Sequence, residues 1–131
     1  MEPTKFLLVD DDKIFVFLAT KIIQSVDYPS TVEVFQDGLE ILDHLKEIAD
    51  KPDLLPDIIF LDLNMPVIDG WGFLKEYHSL DVKKNISIYL VSSSISPHDI
   101  ERAKEIPVVT DFIIKPLMKE KVVEVLSNLR K

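Results

Sequence analysis

The chain has 131 residues, a net charge of −8 and no cysteine. Its length fits one domain, and an apolar content of 47% is ordinary for a globular protein. The acidic balance argues against a nucleic-acid-binding surface and against electrostatic binding to an anionic membrane. The absence of cysteine excludes disulfide bonds, thiolate catalysis and cysteine-ligated zinc.

The N-terminal segment "MEPTKFLLVDDD" does not have the layout of a secretory signal peptide, because its apolar run is short and ends in acids. The apolar runs elsewhere are also far shorter than a membrane-spanning helix. We therefore expect a cytoplasmic protein without a membrane partner or a nucleic-acid partner.

Short apolar runs alternate with longer amphipathic segments along the chain. The runs predict strands at 5–9, 31–35, 57–62, 86–92 and 111–115, and the segments predict helices at 13–26, 37–50, 69–80, 96–106 and 118–130. Such alternation is typical of a parallel sheet that is covered by helices on both faces. We expect an α/β protein with a doubly wound, five-stranded parallel sheet and five helices.

Several side chains have predicted structural roles. Asp12 is expected to cap the first helix, and Ser96 with Pro97 is expected to begin the fourth. Asp57 and Asp69 are expected in turns or caps. Helical spacing predicts that two sets of apolar residues pack on the sheet, namely Leu39, Leu42, Leu45 and Ile48, and then Val122, Val123, Val125, Leu126 and Leu129. The histidines His44, His78 and His98 share no spacing and are expected in helices as surface or partly packed residues, without a zinc site.

Polar side chains follow the carboxyl ends of four predicted strands, where open α/β sheets bind ligands. They are Asp10 and Asp11, Asp62, Ser92 and Ser93, and Lys115. Adjacent carboxylates at about 4 Å repel by about 1 kcal/mol in water and about 4 kcal/mol at an effective dielectric constant near 20. A cation would offset this repulsion, and a ligand set of oxygens alone favours Mg²⁺, with Mn²⁺ as the expected substitute.

This set of groups predicts phosphoryl chemistry. A metal held by few protein oxygens keeps waters and can bridge to a phosphoryl oxygen. The ammonium of Lys115 and the groups at Ser92 and Ser93 can contact the remaining oxygens. A carboxylate is a competent nucleophile towards phosphorus, and Asp62 is the predicted nucleophile because it stands alone on the central strand of the pattern.

Four segments carry a resemblance to a known family: "LLVDDD", "DIIFLDLNMPVIDGWGFL", "YLVSSS" and "FIIKP". In this order and spacing they resemble the receiver domain of two-component response regulators, of the chemotaxis-regulator type, across nearly the whole chain. The resemblance implies that the doubly wound sheet is flavodoxin-like. The resemblance implies that Asp10 and Asp11 bind Mg²⁺ together with Asp62 and the backbone carbonyl of Asn64. It also implies that Asp62 is the phosphoacceptor and that Lys115 contacts the phosphoryl group.

The same resemblance implies a conformational switch. Ser92 takes the place of the switch hydroxyl, Phe112 that of the switch aromatic, and the Lys115–Pro116 peptide bond is expected to be cis. Phosphorylation is expected to alter the surface formed by helix four, strand five and helix five. The expected donor is a histidine kinase or a histidine phosphotransfer protein, and the downstream protein is not specified by the sequence. We expect a single receiver domain over residues 1–131 with no output domain, as a monomer or a weak homodimer.

Two alternatives stay open at this point. "DDDKI" approximates the D-x-D-x-[TV] motif of haloacid-dehalogenase-type phosphatases, but Ile14 stands where Thr or Val belongs and only Glu120 and Glu124 follow Lys115 as acids. In the second alternative the chain is a degenerate receiver that binds partners without being phosphorylated. The intact set of acids, serine and lysine argues against it. We expect a signalling domain that catalyses its own phosphorylation and dephosphorylation, rather than an enzyme.

Overall fold

Five parallel strands form one sheet in the order β2-β1-β3-β4-β5. The structure is a computed structural model that describes residues 3–65 and 67–129. Its strands are β1 Lys5–Val9, β2 Thr31–Phe35, β3 Ile58–Asp62, β4 Ser87–Ser92 and β5 Val109–Ile114. Its helices are α1 Lys13–Val26, α2 Gly38–Ile48, α3 Gly70–Tyr77, α4 Pro97–Lys104 and α5 Lys119–Leu129. The predicted fold class and element order are confirmed.

Apolar side chains lie on both faces of the sheet, which explains why helices cover both faces. In β1, Phe6 and Leu8 belong to a cluster that includes buried residues of α1 and α5, whereas Leu7 and Val9 belong to a cluster with α2, α3 and α4. Successive strand residues point to opposite faces, so a fully apolar strand supplies both clusters. The central strand β3 is buried at each of its five positions.

Side-chain caps begin the helices around the sheet. Asp12 Oδ1 accepts hydrogen bonds from the backbone N–H groups of Ile14 and Phe15, which confirms the predicted cap of α1. Ser96 and Asp99 form a reciprocal capping box at the start of α4, with Pro97 at the first helical position. Asp69 caps α3. These caps satisfy N–H groups that have no partner inside a helix.

The predicted apolar faces are wrong at two positions. Leu39 is 44% exposed, and Ile41 is buried on α2 instead. At 100° per residue, Leu39 lies about 160° around the helix axis from Ile41, on nearly the opposite side. Val123 of α5 is likewise exposed, while Val122 and Val125 are buried. A spacing of three residues drifts around a helix and does not define a face over several turns.

Helix α1 spans the predicted residues, but α2, α3 and α4 end two or three residues earlier than predicted. After α2 and α3, backbone N–H groups bond the carbonyl three residues earlier, as from Lys51 to Ile48 and from Leu80 to Tyr77. Such tighter turns close the chain before the next strand. The predicted end of the last helix at Arg130 lies outside the described residues. Within 3–65 and 67–129, no helix has both the length and the apolar character needed to cross a bilayer.

Parallel register brings the polar strand ends to one edge. Val9 pairs with Leu61, so Asp10 follows β1 at the level where β3 ends. Ser92 pairs with Ile114, so Lys115 is the first residue beyond β5. The backbone N–H of Lys115 continues the ladder to the Ser92 carbonyl at 2.9 Å.

Candidate functional site

Three carboxylates meet at the carboxyl edge of the sheet. Asp10, Asp11 and Asp62 each offer an oxygen within 4.8 Å of the other two. Asp10 and Asp62 are buried, with exposed fractions of 3% and 4%, and Asp11 is exposed to solvent. The structure therefore brings together the three side chains that were predicted to bind a metal.

Backbone N–H groups fix one oxygen of each buried acid. Asp10 Oδ1 accepts from the N–H of Asp12 at 2.9 Å, and Asp62 Oδ1 accepts from the N–H of Asn64 at 3.2 Å. Asp10 Oδ2 is fully buried and has no hydrogen-bond partner among the described residues. A buried carboxylate oxygen without such a partner is costly, so this atom is a ready ligand for a cation.

Lys115 supplies the positive charge of the site. Its Nζ lies 3.1 Å from Asp10 Oδ2, 3.8 Å from Asp62 Oδ2 and 4.0 Å from Asp12 Oδ2. The face of the Phe15 ring lies on another side of this ammonium, with 4.7 Å between Nζ and the ring centroid. The Lys115–Pro116 peptide bond is cis, as the family resemblance implies.

The surroundings of Asp62 disfavour the ionised form of its side chain. Burial and then the charge of Asp10 raise the pKa of Asp62 from 3.8 to about 6, although the Asn64 N–H and Lys115 act in the opposite direction. One ammonium therefore does not neutralise the acids completely. A hard divalent cation fits this set, because it would add the missing charge and prefers carboxylate oxygens.

The predicted switch residues lie beside this centre. Ser92 is buried at the end of β4, and its hydroxyl donates to the Ser94 carbonyl at 2.7 Å and accepts from the Ser94 N–H at 3.3 Å. Ser93 is exposed. Phe112 is half-buried and packs against the cluster that contains α2, α3 and α4. The hydroxyl of Ser92 is thus engaged with its own loop.

The sequence did not predict two contacts of Lys115. The sequence favours Asp12 as a cap of α1 over a third metal ligand, but its second oxygen also lies 4.0 Å from the ammonium. No sequence pattern marks Phe15, although its ring contacts the same group. An aromatic residue three positions after a capping acid is a weak signal for such a contact, because the contact also depends on how α1 packs beside the segment after β5.

An apolar groove of about 380 Å³ runs from this centre along α1. Its lining combines Ile14, Phe15, Leu18, Ala19 and Ile22 with Asp12, Ser93, Lys115, Pro116 and Leu117. Ile14 is 74% exposed and Leu18 is 49% exposed. The groove therefore joins exposed apolar surface directly to the charged centre.

The loop between β3 and α3 contains a strained residue. Val67 has a φ angle of 67°, in the left-handed region, and its side chain is exposed. A left-handed conformation costs an L-residue about 1–2 kcal/mol, and β-branching makes it worse. Asn tolerates this conformation better than valine.

We expect Val67→Asn to raise the free energy of unfolding by about 1 kcal/mol, because it relieves this strain. Chemical denaturation of both proteins measures the change. Val123→Asn is the matched control, because it replaces an exposed valine in a helix, where the two residues have similar propensities. Equal changes in the two variants would contradict the role assigned to the backbone of Val67.

Three comparisons identify related proteins. The family model described as "Response regulator receiver domain" matches residues 6–127. A two-component response regulator from Cytophaga hutchinsonii has a TM-score of 0.87 and 28% identity, over 99% of this chain and 98% of that one. The chemotaxis protein CheY of Thermotoga maritima is 28% identical over 97% of this chain and 98% of its own length. The probable methanogenesis regulatory protein FilR2 of Methanothrix harundinacea is 28% identical over 91% of this chain and 76% of its own length.

Other relatives are longer proteins. The chain spans 30% of a protein-glutamate methylesterase/protein-glutamine glutaminase of Methanospirillum hungatei and 10% of the sensor histidine kinase CheAY of Helicobacter pylori. The region that matches this chain is therefore only one part of each of these longer proteins. With a family model that covers residues 6–127, a matching fold and acids at the expected strand ends, this chain belongs to the response regulator receiver domain family.

Proposed function

We propose that this chain is a phosphorylation switch in which Asp62 accepts a phosphoryl group from a partner phosphohistidine in a Mg²⁺-dependent reaction. The observation that carries the proposal is the cluster of Asp10, Asp11 and Asp62 with the Lys115 ammonium beside it at one sheet edge. The cluster combines a carboxylate that can act as the nucleophile, oxygens that can bind a metal ion, and an ammonium that can bind a phosphoryl oxygen. The predictions of a cytoplasmic location, of a chain without an output domain and of a monomer or weak homodimer stay predictions.

In the proposed reaction an oxygen of Asp62 attacks phosphorus. The new oxygen–phosphorus bond forms as the phosphorus–nitrogen bond to the donor imidazole breaks, and the electron pair of that bond stays on nitrogen. The N–H of Asn64 holds Asp62 Oδ1 at 3.2 Å and so orients the carboxylate. Lys115, 3.8 Å from Asp62 Oδ2, is placed to bind an oxygen of the arriving group.

The residues that would hold Mg²⁺ are Asp10, Asp11 and Asp62, with the backbone carbonyl of Asn64 as the further predicted ligand. When bound, the ion would supply positive charge that offsets carboxylate repulsion and the charge of the phosphoryl oxygens. The raised pKa of Asp62 supports this assignment, because the Lys115 ammonium alone does not offset the burial of Asp62 and the charge of Asp10. Asp10 Oδ2 also has no hydrogen-bond donor among the described residues, although the Lys115 ammonium lies 3.1 Å away.

The switch would follow from competition for the Ser92 hydroxyl. To reach a phosphoryl group on Asp62, this hydroxyl must leave the Ser94 carbonyl, which moves the loop that leads into α4. We propose that Phe112 turns inward with this movement and alters the surface of α4, β5 and α5. A near-complete switch requires phosphoryl contacts that favour the active state by about 5.5 kcal/mol.

The phosphatase alternative is less well supported by the geometry. That mechanism would need Asp12 as its second acid, but Asp12 Oδ1 caps α1 through the N–H groups of Ile14 and Phe15. It also gives no role to the buried Asp62. Release of phosphate from monoesters that is lost in Asp10→Asn and kept in Asp62→Asn would favour the phosphatase.

We propose that the phosphohistidine protein docks along the groove of α1. Its imidazole must reach Asp62, and the groove brings apolar surface to the Lys115 side of that residue. We expect Ile14→Glu and Leu18→Glu each to slow transfer from a protein donor about tenfold or more, because each buries a charge in an apolar contact. Quenched time courses with a phosphorylated histidine phosphotransfer protein measure the rate of phosphoryl transfer.

A matched control for docking is Leu39→Glu, because Leu39 is a similarly exposed leucine on α2. This variant should transfer at the normal rate, and all three variants should react normally with a small phosphodonor. A slowing that is equal with small and protein donors would contradict docking at the groove.

Intact-mass spectrometry after incubation with acetyl phosphate tests the proposed function. The expected result is one added phosphoryl group in the presence of Mg²⁺ and none after chelation. No addition by acetyl phosphate or by a phosphorylated histidine protein, with Mg²⁺ binding confirmed by calorimetry, would instead favour the degenerate receiver.

A further inference from the structure

We propose that the Phe15 ring is a positioning group for the Lys115 ammonium and thereby sets how fast Asp62 is phosphorylated. The inference rests on the proposed function of Asp62 and extends it to a residue outside the charged set. The ring of Phe15 carries no group that could bind a metal or a phosphoryl oxygen, so it would act through Lys115.

The ring is held firmly from the protein side. Phe15 is 7% exposed and belongs to the apolar cluster that includes Ala19, Leu117 and Val122. Its backbone N–H donates to the capping oxygen of Asp12 at 3.2 Å, which fixes the first turn of α1. Because packing fixes the position of this ring, the ring can hold the Lys115 ammonium in one place.

The ammonium is held by ion pairs rather than by a directed hydrogen bond. Nζ lies 3.1 Å from Asp10 Oδ2, but the contact lacks hydrogen-bond geometry, because that oxygen has no hydrogen-bond partner. The other two carboxylates are 3.8 and 4.0 Å away. The ring, at 4.7 Å from Nζ to its centroid, presents an uncharged surface to the ammonium.

The ring becomes more important when the acids bind a cation. Asp10 and Asp62 would then share their charge with the cation, and their hold on Lys115 would weaken. A cation over the face of a phenyl ring is attracted by the negative face of the ring, and this attraction needs no carboxylate. The ring therefore keeps the ammonium beside Asp62 in the state that reacts, whereas an aliphatic side chain would leave it free to turn towards solvent.

The test replaces the ring by aliphatic and by aromatic side chains. Phe15→Leu and Phe15→Met should lower the second-order rate constant for phosphorylation by acetyl phosphate roughly three- to tenfold, the range expected for a partly buried cation–π contact. Phe15→Tyr should keep the rate within about twofold, because it keeps the ring face. Methionine fills a space similar to that of phenylalanine, so Phe15→Met tests the role of the ring if Phe15→Leu does not fold.

Two readouts separate positioning from packing. The Mg²⁺ dissociation constant, measured by calorimetry, should change less than about twofold in the Leu and Met variants, whereas general damage to the site would weaken it. In a Lys115→Met background, Phe15→Met should cause no further loss of rate, because the group it positions is absent. Phosphorylation is followed by intact mass in all four combinations.

The inference would be overturned by a wild-type rate in Phe15→Met, or by an equal loss with and without Lys115. In either case a phosphorylated wild-type protein would leave the proposed function of Asp62 standing. A wild-type chain that accepts no phosphoryl group would overturn the proposed function and this inference together.

Discussion

Asp62→Asn should raise the free energy of unfolding at pH 7 by about 1–3 kcal/mol, even though it should abolish phosphorylation. The structure buries Asp62 beside Asp10, and these surroundings raise its pKa from 3.8 to about 6. Each pKa unit corresponds to about 1.4 kcal/mol between the protonation states, so the ionised side chain opposes folding. An asparagine removes the charge and can still accept the N–H of Asn64.

The gain should depend on pH in a defined direction. Because the pKa of Asp62 is higher in the folded protein, the folded state binds its proton more tightly than the unfolded state does. The penalty is therefore complete above about pH 6, decreases as the pH falls, and is absent below about pH 4. Urea denaturation of both proteins from pH 4 to pH 8, without divalent cations, should show the two curves converge on acidification.

An exposed acid provides the control for this prediction. Asp81→Asn, in the loop before β4, should change stability by less than about 0.5 kcal/mol. A destabilised Asp62→Asn, or a gain that does not depend on pH, would show that the folded state does not strain this carboxylate.

Asp10→Asn should abolish most of the stabilisation by Mg²⁺. Asp10 supplies the buried oxygen without a hydrogen-bond partner, so we infer that it contributes strongly to cation affinity. Changing even a partner of a metal ligand weakens binding about 10- to 100-fold. At a Mg²⁺ concentration of 100 times the wild-type dissociation constant, the wild-type protein should gain about 2.7 kcal/mol, and a 100-fold weaker variant only about 0.4 kcal/mol.

Denaturation with and without Mg²⁺ measures these gains, and calorimetry gives the two dissociation constants. Asp81→Asn again serves as the control and should gain as much as the wild-type protein. An equal Mg²⁺ effect in Asp10→Asn would place the cation elsewhere, or would show that Asp10 is dispensable for it.

The sequence was sufficient for those parts of the site that depend on register. Parallel strands place their carboxyl ends at one edge, so Asp10, Asp62 and Lys115 could be brought together without coordinates. Asp12 and Ser96 could likewise be assigned to caps, because capping is a local interaction between a side chain and the following turn. The fold class therefore follows from the alternation of apolar runs with amphipathic segments, and the charged centre follows from strand ends and residue types.

Other features depend on tertiary packing and could not be predicted in this way. The contact between Phe15 and Lys115 depends on how α1 is oriented about its axis relative to the segment after β5. Residue spacing does not predict this orientation. The hydrogen bond from Ser92 to Ser94 depends on the path of the loop after β4. Leu39 was wrongly placed in the core because the spacing rule ignored the drift of the apolar stripe around α2.

The central claim is that Asp62 carries the phosphoryl group, and mapping the modified residue tests it most directly. Borohydride reduces an aspartyl phosphate to homoserine, which peptide mass spectrometry locates after treatment of the protein with acetyl phosphate. The account predicts homoserine at position 62 alone, only in samples that contained Mg²⁺. Homoserine at Asp10, Asp11 or Asp12, or modification that is independent of Mg²⁺, would contradict it.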